Sequence, residues 1–407
     1  MRLLAAALLS LAASVTVHAQ QPRDVEGAKR TIASIEELLK QRPNDGTLYF
    51  WLARFRSEAG DIKGAVTALE KASEVGDGFL PARDQFAVAW DDPAFKAVYA
   101  RMEAKLPRLD FAPNAFEIRD RTLIPEGIAY DAPSHAFFVG SIAHGKVMRV
   151  DRDRSVSEFA GEDARLDQVL GLAVDAPRRI LYVVSTSALT EKGEQNRRNA
   201  IVAFEIDTRK MVGRFDVPEA RQLNDVAIAP GGRVFTSDSA SGAIYEIAVK
   251  GPGPTRELVP PDRIRGSNGL AASPDGKKLY VAHSTGIAVV DISTKEVKRV
   301  NNETRETVAA IDGLYAWQGE LIGVQNLTNP GRVIVISLGK DGESITKVRT
   351  LLSHHHNALY EPTTGAIGAD AFYLLAATGV THFDRQGRID RPDSLPTPTV
   401  LKVPLPR

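Results

Sequence analysis

A short phrase returns along this chain, and it restricts the fold more than any other feature. It reads Pro125-Glu126-Gly127-Ile128-Ala129, then Leu223-Asn224-Asp225-Val226-Ala227, then Ser267-Asn268-Gly269-Leu270-Ala271, then Ile311-Asp312-Gly313-Leu314-Tyr315. Asn224, Asn268 and Asp312 succeed one another at intervals of 44 residues. Self-similarity at a fixed period marks a repeat architecture, in which each unit buries its apolar surface by stacking on the next. Beyond Pro113 the apolar residues alternate with a period of two, in short runs such as Leu181-Tyr182-Val183-Val184, Leu279-Tyr280-Val281-Ala282 and Phe372-Tyr373-Leu374-Leu375. Turn-forming clusters such as Pro230-Gly231-Gly232 and Pro274-Asp275-Gly276-Lys277 precede these runs. A second strand-like run follows each, the last of them at 379–383. Six such units, repeating about every 45 residues, predict an all-β six-bladed propeller over 114–407, with the recurring phrase as the innermost strand of a blade. Ring closure requires the ends to pair, and 116–119 and 400–403 are the candidate strands.

The front of the chain has a different period. From 24 to 106 the apolar spacing is helical, with Ile32, Ile35, Leu38 and Leu39 on one face. Trp51, a break at Gly60-Asp61, and Ala65 and Ala72 on the following helix resemble a tetratricopeptide repeat. The expectation is a small α-helical tetratricopeptide-like segment over 22–107, joined to the propeller through Pro107 and Pro113. One repeat is too short for a long peptide groove. It is expected to pack as a cap on the propeller, with a docking surface for a protein partner as the alternative.

Composition removes several classes of function. Lys plus Arg and Asp plus Glu both number 51, which argues against nucleic acid and against charge-driven attachment to anionic lipid. Absence of cysteine excludes thiolate metal sites, disulfides and cysteine nucleophiles. Residues 1–19 read as a signal peptide: Arg2, an apolar run, then Val17-His18-Ala19 before a cleavage point at Gln20. An N-terminal anchor is the alternative, although the run is short for a spanning helix. A periplasmic or secreted protein without membrane insertion after signal removal is expected.

The recurring phrase also carries the candidate chemistry. Its second position holds Glu126, Asn224, Asn268 and Asp312, four side-chain oxygens that a propeller would return to one channel mouth. Two carboxylates and two amide oxygens suit one divalent cation, with water completing its shell. Blade two has Leu170 at this position, and counting back through blade six places Glu361 near it. A single Asn or Asp before Gly is commonly a turn residue bonded to its own backbone. Four at one repeat position favour a metal site.

Here the domain resembles the regucalcin and gluconolactonase (SMP-30-like) family of six-bladed propellers, related to paraoxonases and strictosidine-synthase-like proteins. The motifs are Pro-Glu-Gly at 125–127, Asn224-Asp225, the long Ser-Asn-Gly-Leu-Ala-x-Ser-Pro-Asp-Gly-Lys-x-Leu-Tyr-Val-Ala run at 267–282, and Asp-Gly-Leu at 312–314. The resemblance implies that Glu126, Asn268 and Asp312 hold the metal, that Asn224 holds metal or substrate, and that Asp312 also serves as a general base. Calcium is favoured by the all-oxygen donors, with zinc, manganese or magnesium also accepted among relatives. Two departures stand out. His283 replaces a frequent Asp, and Gln222 stands where an Arg tends to occur.

These readings converge on a metal-dependent hydrolase of the lactonase or esterase type acting on a small-molecule substrate. A non-catalytic scaffold with a structural metal is the alternative, and a lyase or synthase on the same scaffold a third. Asn326 and Gln325 are candidates for the pocket mouth. The histidines to weigh as bases are His144, His283 and 354–356, the triple run being read as a solvated loop. No Gly-x-Ser-x-Gly occurs, which argues against a serine hydrolase.

Overall fold

The structure is a computed structural model that describes residues 24–249 and 255–406. The leader expected at 1–19 lies outside these residues. Four helices come first: α1 (Val25–Gln41), α2 (Gly46–Glu58), α3 (Ile62–Val75) and α4 (Pro93–Glu103). Each begins after an aspartate, Asp24, Asp45, Asp61 or Asp92, whose carboxylate accepts from backbone N–H groups of the first turn. Those N–H groups have no partner within the helix, so the aspartates set where each helix starts. Trp51, Phe50, Phe86 and Phe95 form the buried aromatic centre of this segment.

Six sheets follow among the described residues, as the repeat requires, each built on four antiparallel strands, with a short parallel fifth strand at Asn301–Asn302 on blade five. Their inner strands are Pro125–Asp131, Gln168–Asp175, Leu223–Ala229, Leu270–Ala272, Ile311–Trp317 and Gly365–Ile367. The ring closes where expected. Asn114–Glu117 pairs with Thr399–Pro404 and so forms the outer strand of the last blade. Tyr130, Phe137 and Tyr373 interlock across this seam. One expected strand is absent. The segment 379–383 is instead a 3-10 turn at Val380–His382, and the third strand of blade six is Thr399–Pro404. Gly379 enters the turn at φ +72, and the Glu361 carboxylate accepts from Thr381 N at 3.1 Å and from its hydroxyl. These local bonds replace a ladder, and Val380 is carried over the channel.

The helices cap one mouth of the propeller. Trp51 Nε1 donates to Ser284 O at 3.0 Å. Asp77 exchanges backbone bonds with Arg305 and Thr307, and Leu80 N donates to Thr328 O at 2.9 Å. Ala310 and Leu327 of the propeller pack into the helical core. The expected cap is therefore built by backbone pairing as well as apolar contact.

Four of the inner strands share one irregularity. Between Pro125 and Ile128, Val169 and Leu172, Leu223 and Val226, and Ile311 and Leu314, each spends three steps where its neighbour spends two. This is a β-bulge, which releases a residue from the ladder and re-aims its side chain. The residue following the released one abuts the next blade. A Cβ on Gly127 would overlap the Leu170 carbonyl oxygen, and one on Gly269 would overlap Asp312 O. Gly127→Ala and Gly269→Ala should each cost about 1–3 kcal/mol, because backbone of the next blade must shift. Gly319, with nothing within 4 Å, should lose only about 1 kcal/mol as alanine from its positive φ. Chemical denaturation of the three variants measures the contrast.

Candidate functional site

Bulges in four blades, and the residues just ahead of the inner strand in the other two, place one residue per blade at the channel mouth: Glu126, Leu170, Asn224, Asn268, Asp312 and Thr363. All six line one cavity of about 40 Å³. Pairing identifies the residue in blade six. Asn268 N donates to Ala282 O, whose residue returns a bond to Gly269 O; Thr363 N donates to Leu375 O, whose residue returns one to Thr364 O. Thr363 is thus the counterpart of Asn268. The expected Glu361 lies two residues earlier, at φ +57, with its carboxylate turned to Thr381. Counting from the following strand failed because the chain turns at Glu361-Pro362 before joining the ladder at Gly365.

Asp312 is the hub. Its two oxygens accept from Asn268 Nδ2 at 2.8 Å and Asn326 Nδ2 at 2.6 Å. Asn326 also donates to Pro362 O at 2.9 Å. Glu126 is buried against this cluster, and its Oε2 has no partner; neither has Asn326 Oδ1. Burial, then Asp312 and Asp225, push the Glu126 carboxyl well above its usual range. Burial pushes Asp312 up to about 6, with both asparagines opposing it.

Asp225 is the site residue whose role its place in the phrase did not reveal. It stands where four other blades have glycine, and its Oδ2 accepts from Leu270 N of blade four at 2.9 Å. Burial pushes it up to about 7. Three carboxyls therefore share a poorly solvated centre. Buried anionic oxygens without a partner are costly, and a divalent cation is their natural complement. The donor set fits such an ion: Glu126 and Asp312 as carboxylates, Asn224 and Asn268 as neutral oxygens once the Asn268 amide turns its oxygen inward, and Asn326 Oδ1 beside them.

Other expected residues separate cleanly. Gln222 and His283 line the cavity. Burial, followed by Arg299 and Arg42, lowers His283 to about 3, which keeps its ring neutral. Gln325 does not reach the mouth: its amide donates to Ala309 O at 2.7 Å and its Oε1 accepts from Arg332 Nε at 2.7 Å. His144 pairs with Thr122 Oγ1 outside the cavity. Ser141 donates to Leu123 O, and Ser237 Oγ accepts from Asp225 N, so neither is placed as a nucleophile. The roof was not legible as part of the site. Trp51 comes from α2, Leu189 and Val380 from loops of blades two and six, and Leu327 from blade five.

In metal-free protein, the raised Glu126, Asp312 and Asp225 carboxyls imply a definite pH dependence. Folded-state values above the unfolded ones mean that stability is fully present below about pH 4 with respect to these groups. It is lost as pH rises through 6 and 7. The melting temperature should fall between pH 5 and pH 8, and Glu126→Gln with Asp312→Asn should flatten that fall. A saturating divalent cation should flatten it too.

Residues 124–315 match the family described as "SMP-30/Gluconolactonase/LRE-like region". Among solved structures, a gluconolactonase from Xanthomonas campestris is 17% identical, with 74% of this chain and 93% of that chain covered at a TM-score of 0.48. A putative oxidoreductase (glucose dehydrogenase) from Thermus thermophilus is 18% identical, covering 72% and 99% at a TM-score of 0.48. A luciferin-regenerating enzyme is 17% identical, covering 72% and 96% at 0.48. No curated protein matches the sequence.

Proposed function

We propose that this propeller, whose residues 124–315 match the SMP-30/gluconolactonase/LRE-like family model, is a lactonase-like, cation-dependent hydrolase of small lactones or esters. The observation that carries the reading is the orphaned, buried Glu126 Oε2 beside Asp312 at the one point where all six blades meet. Glu126, Asn224, Asn268 and Asp312 are the proposed ligands, and calcium is the favoured ion for an oxygen-only set. When bound, the cation supplies Lewis-acid polarisation of a carbonyl and charge to offset an oxyanion.

The chain's own groups do the rest. Asp312, held by two amide N–H donors, is oriented to take a proton from water; a carboxyl near 6 is suited to that exchange at neutral pH. The neutral His283 ring and Gln222 offer hydrogen bonds to a substrate oxygen at the rim. Leu170, Leu189, Val380 and Trp51 exclude water from one side of the cavity. A space of about 40 Å³ holds water or an ion. Entry of an organic substrate therefore requires part of the Trp51, Leu327 and Val380 roof to move, and a compact lactone is the expected class. The residue 1–19 leader would deliver the enzyme to the periplasm or outside the cell.

That small cavity also favours a second reading, a structural ion at the hub of a non-catalytic scaffold. One experiment separates them. Purified protein is assayed on a panel of lactones and esters before and after chelation, beside Asp312→Asn. Catalysis predicts turnover that chelator abolishes and that Asp312→Asn lowers about 10²–10⁴-fold with its fold intact. No turnover on the panel by metal-loaded protein, with a melting temperature that still falls on chelation, would leave the scaffold.

A further inference from the structure

Away from the channel, the end of α4 meets the loop between blades five and six. There a carboxylate oxygen of Glu103 and one ring nitrogen each of His354 and His355 lie within 4.8 Å of one another. We propose that these three residues form a second cation site, for a zinc-class transition ion, which fastens the helical segment to the propeller.

His354 Nε2 stands 3.4 Å from Glu103 Oε1, long for an N–H···O bond, whose distances run to about 3.2 Å. The same distance is close to the edge, roughly 3.4 Å, of a tetrahedron whose ligands sit about 2.1 Å from zinc. Glu103 is the last residue of α4, where the helix dipole opposes a negative charge. A cation would correct that placement. The two imidazole centroids lie 3.9 Å apart.

Neighbouring bonds prepare His355 as well. Ser353 Oγ accepts from Leu109 N at 3.0 Å and gives its proton to Leu109 O at 3.2 Å. With that proton spent, His355 Nδ1, 2.9 Å from Ser353 Oγ, carries the hydrogen and Nε2 keeps its lone pair. Metal-bound imidazoles use this outer bond to fix their tautomer. His356 is not part of the set: its Nε2 faces Ala112 O at 2.9 Å and its Nδ1 accepts from Ala358 N at 3.1 Å. Two imidazoles and a carboxylate suit zinc better than calcium. Glu103 remains partly exposed, so an ion can enter and water can complete the tetrahedron. The loop read as merely solvated is in this respect a clasp, with one ligand from the cap and two from the propeller.

The test removes the central site first, so that failure of either proposal can be told from failure of the other. Metal-free full-length protein carrying both Glu126→Gln and Asp312→Asn, which removes the two carboxylates of the central donor set, is titrated with cobalt(II) and, separately, zinc. The proposal expects one equivalent of cobalt with the strong visible bands of a tetrahedral ion, and a melting temperature that rises with zinc concentration. Adding His354→Ala and His355→Ala should abolish both. Glu103→Gln, a partly exposed change that leaves the imidazoles in place, should weaken cobalt binding tenfold or more. Circular dichroism of each metal-free variant checks its fold. Equal cobalt spectra with and without the histidines, equal affinity in Glu103→Gln, or no thermal shift at 100-fold excess zinc would overturn the site.

Discussion

The structure depends on how neighbouring inner strands bond to one another at the channel mouth. Gly269 N donates to Asp312 O at 2.9 Å, and Gly313 N to Thr363 O at 3.2 Å. Thr363 and Thr364 hydroxyls both donate to Glu126 O, at 2.8 and 2.6 Å. Leu270 N reaches back to the Asp225 carboxylate. These bonds run from blade three through four, five and six to blade one. They satisfy backbone groups that the bulges withdrew from the ladders, which a buried segment cannot leave unpaired. Glu126, Asn224 and Asp312 are aimed inward by the same bulges. Closing the ring and assembling the site are therefore one event, and a residue cannot be moved in one without disturbing the other.

Much of this was legible because it repeats. A residue type that returns at a fixed interval with glycine after it reports two constraints at once: a side chain that must face the axis, and a backbone that must let the next blade approach. Glu126-Gly127, Asn268-Gly269 and Asp312-Gly313 all obey both. Asn224-Asp225 obeys the first and solves the second differently, with a carboxylate that caps the following blade. Its exceptional role was hidden because Asp beside Asn reads locally as an ordinary turn pair. Blade six was misplaced for a related reason. Thr363 lacks the acidic or amide signature, and a left-handed residue at Glu361 breaks the spacing on which counting relied.

The roof was beyond reach of any local pattern. Trp51 looks like a repeat-motif tryptophan, and most of its surface is indeed spent on the helical core. Only the tertiary contact of its indole N–H with Ser284 O, 233 residues away, makes it part of the channel. Val380 was read as a strand residue from its apolar, β-branched neighbourhood. The 3-10 turn wins because Gly379 and the Glu361 carboxylate offer local bonds that strand pairing would have to displace. Periodicity reports faces of regular elements; it is silent about which loops fold back over them.

The cap and the buried carboxylates also bear on one another. Glu126, Asp225 and Asp312 are each pushed upward chiefly by burial, and α2 contributes to that burial by closing the mouth. An open propeller would admit water and relieve much of the penalty. Covering the site makes the carboxyls more basic, makes an unpartnered oxygen more expensive, and so strengthens the preference for a bound cation. The same cover limits what else can enter. A helical segment expected from its sequence to be a packing cap thus also acts on the site's electrostatics, through Trp51 and the backbone pairs at Asp77 and Leu80, without supplying a charged group to the cavity.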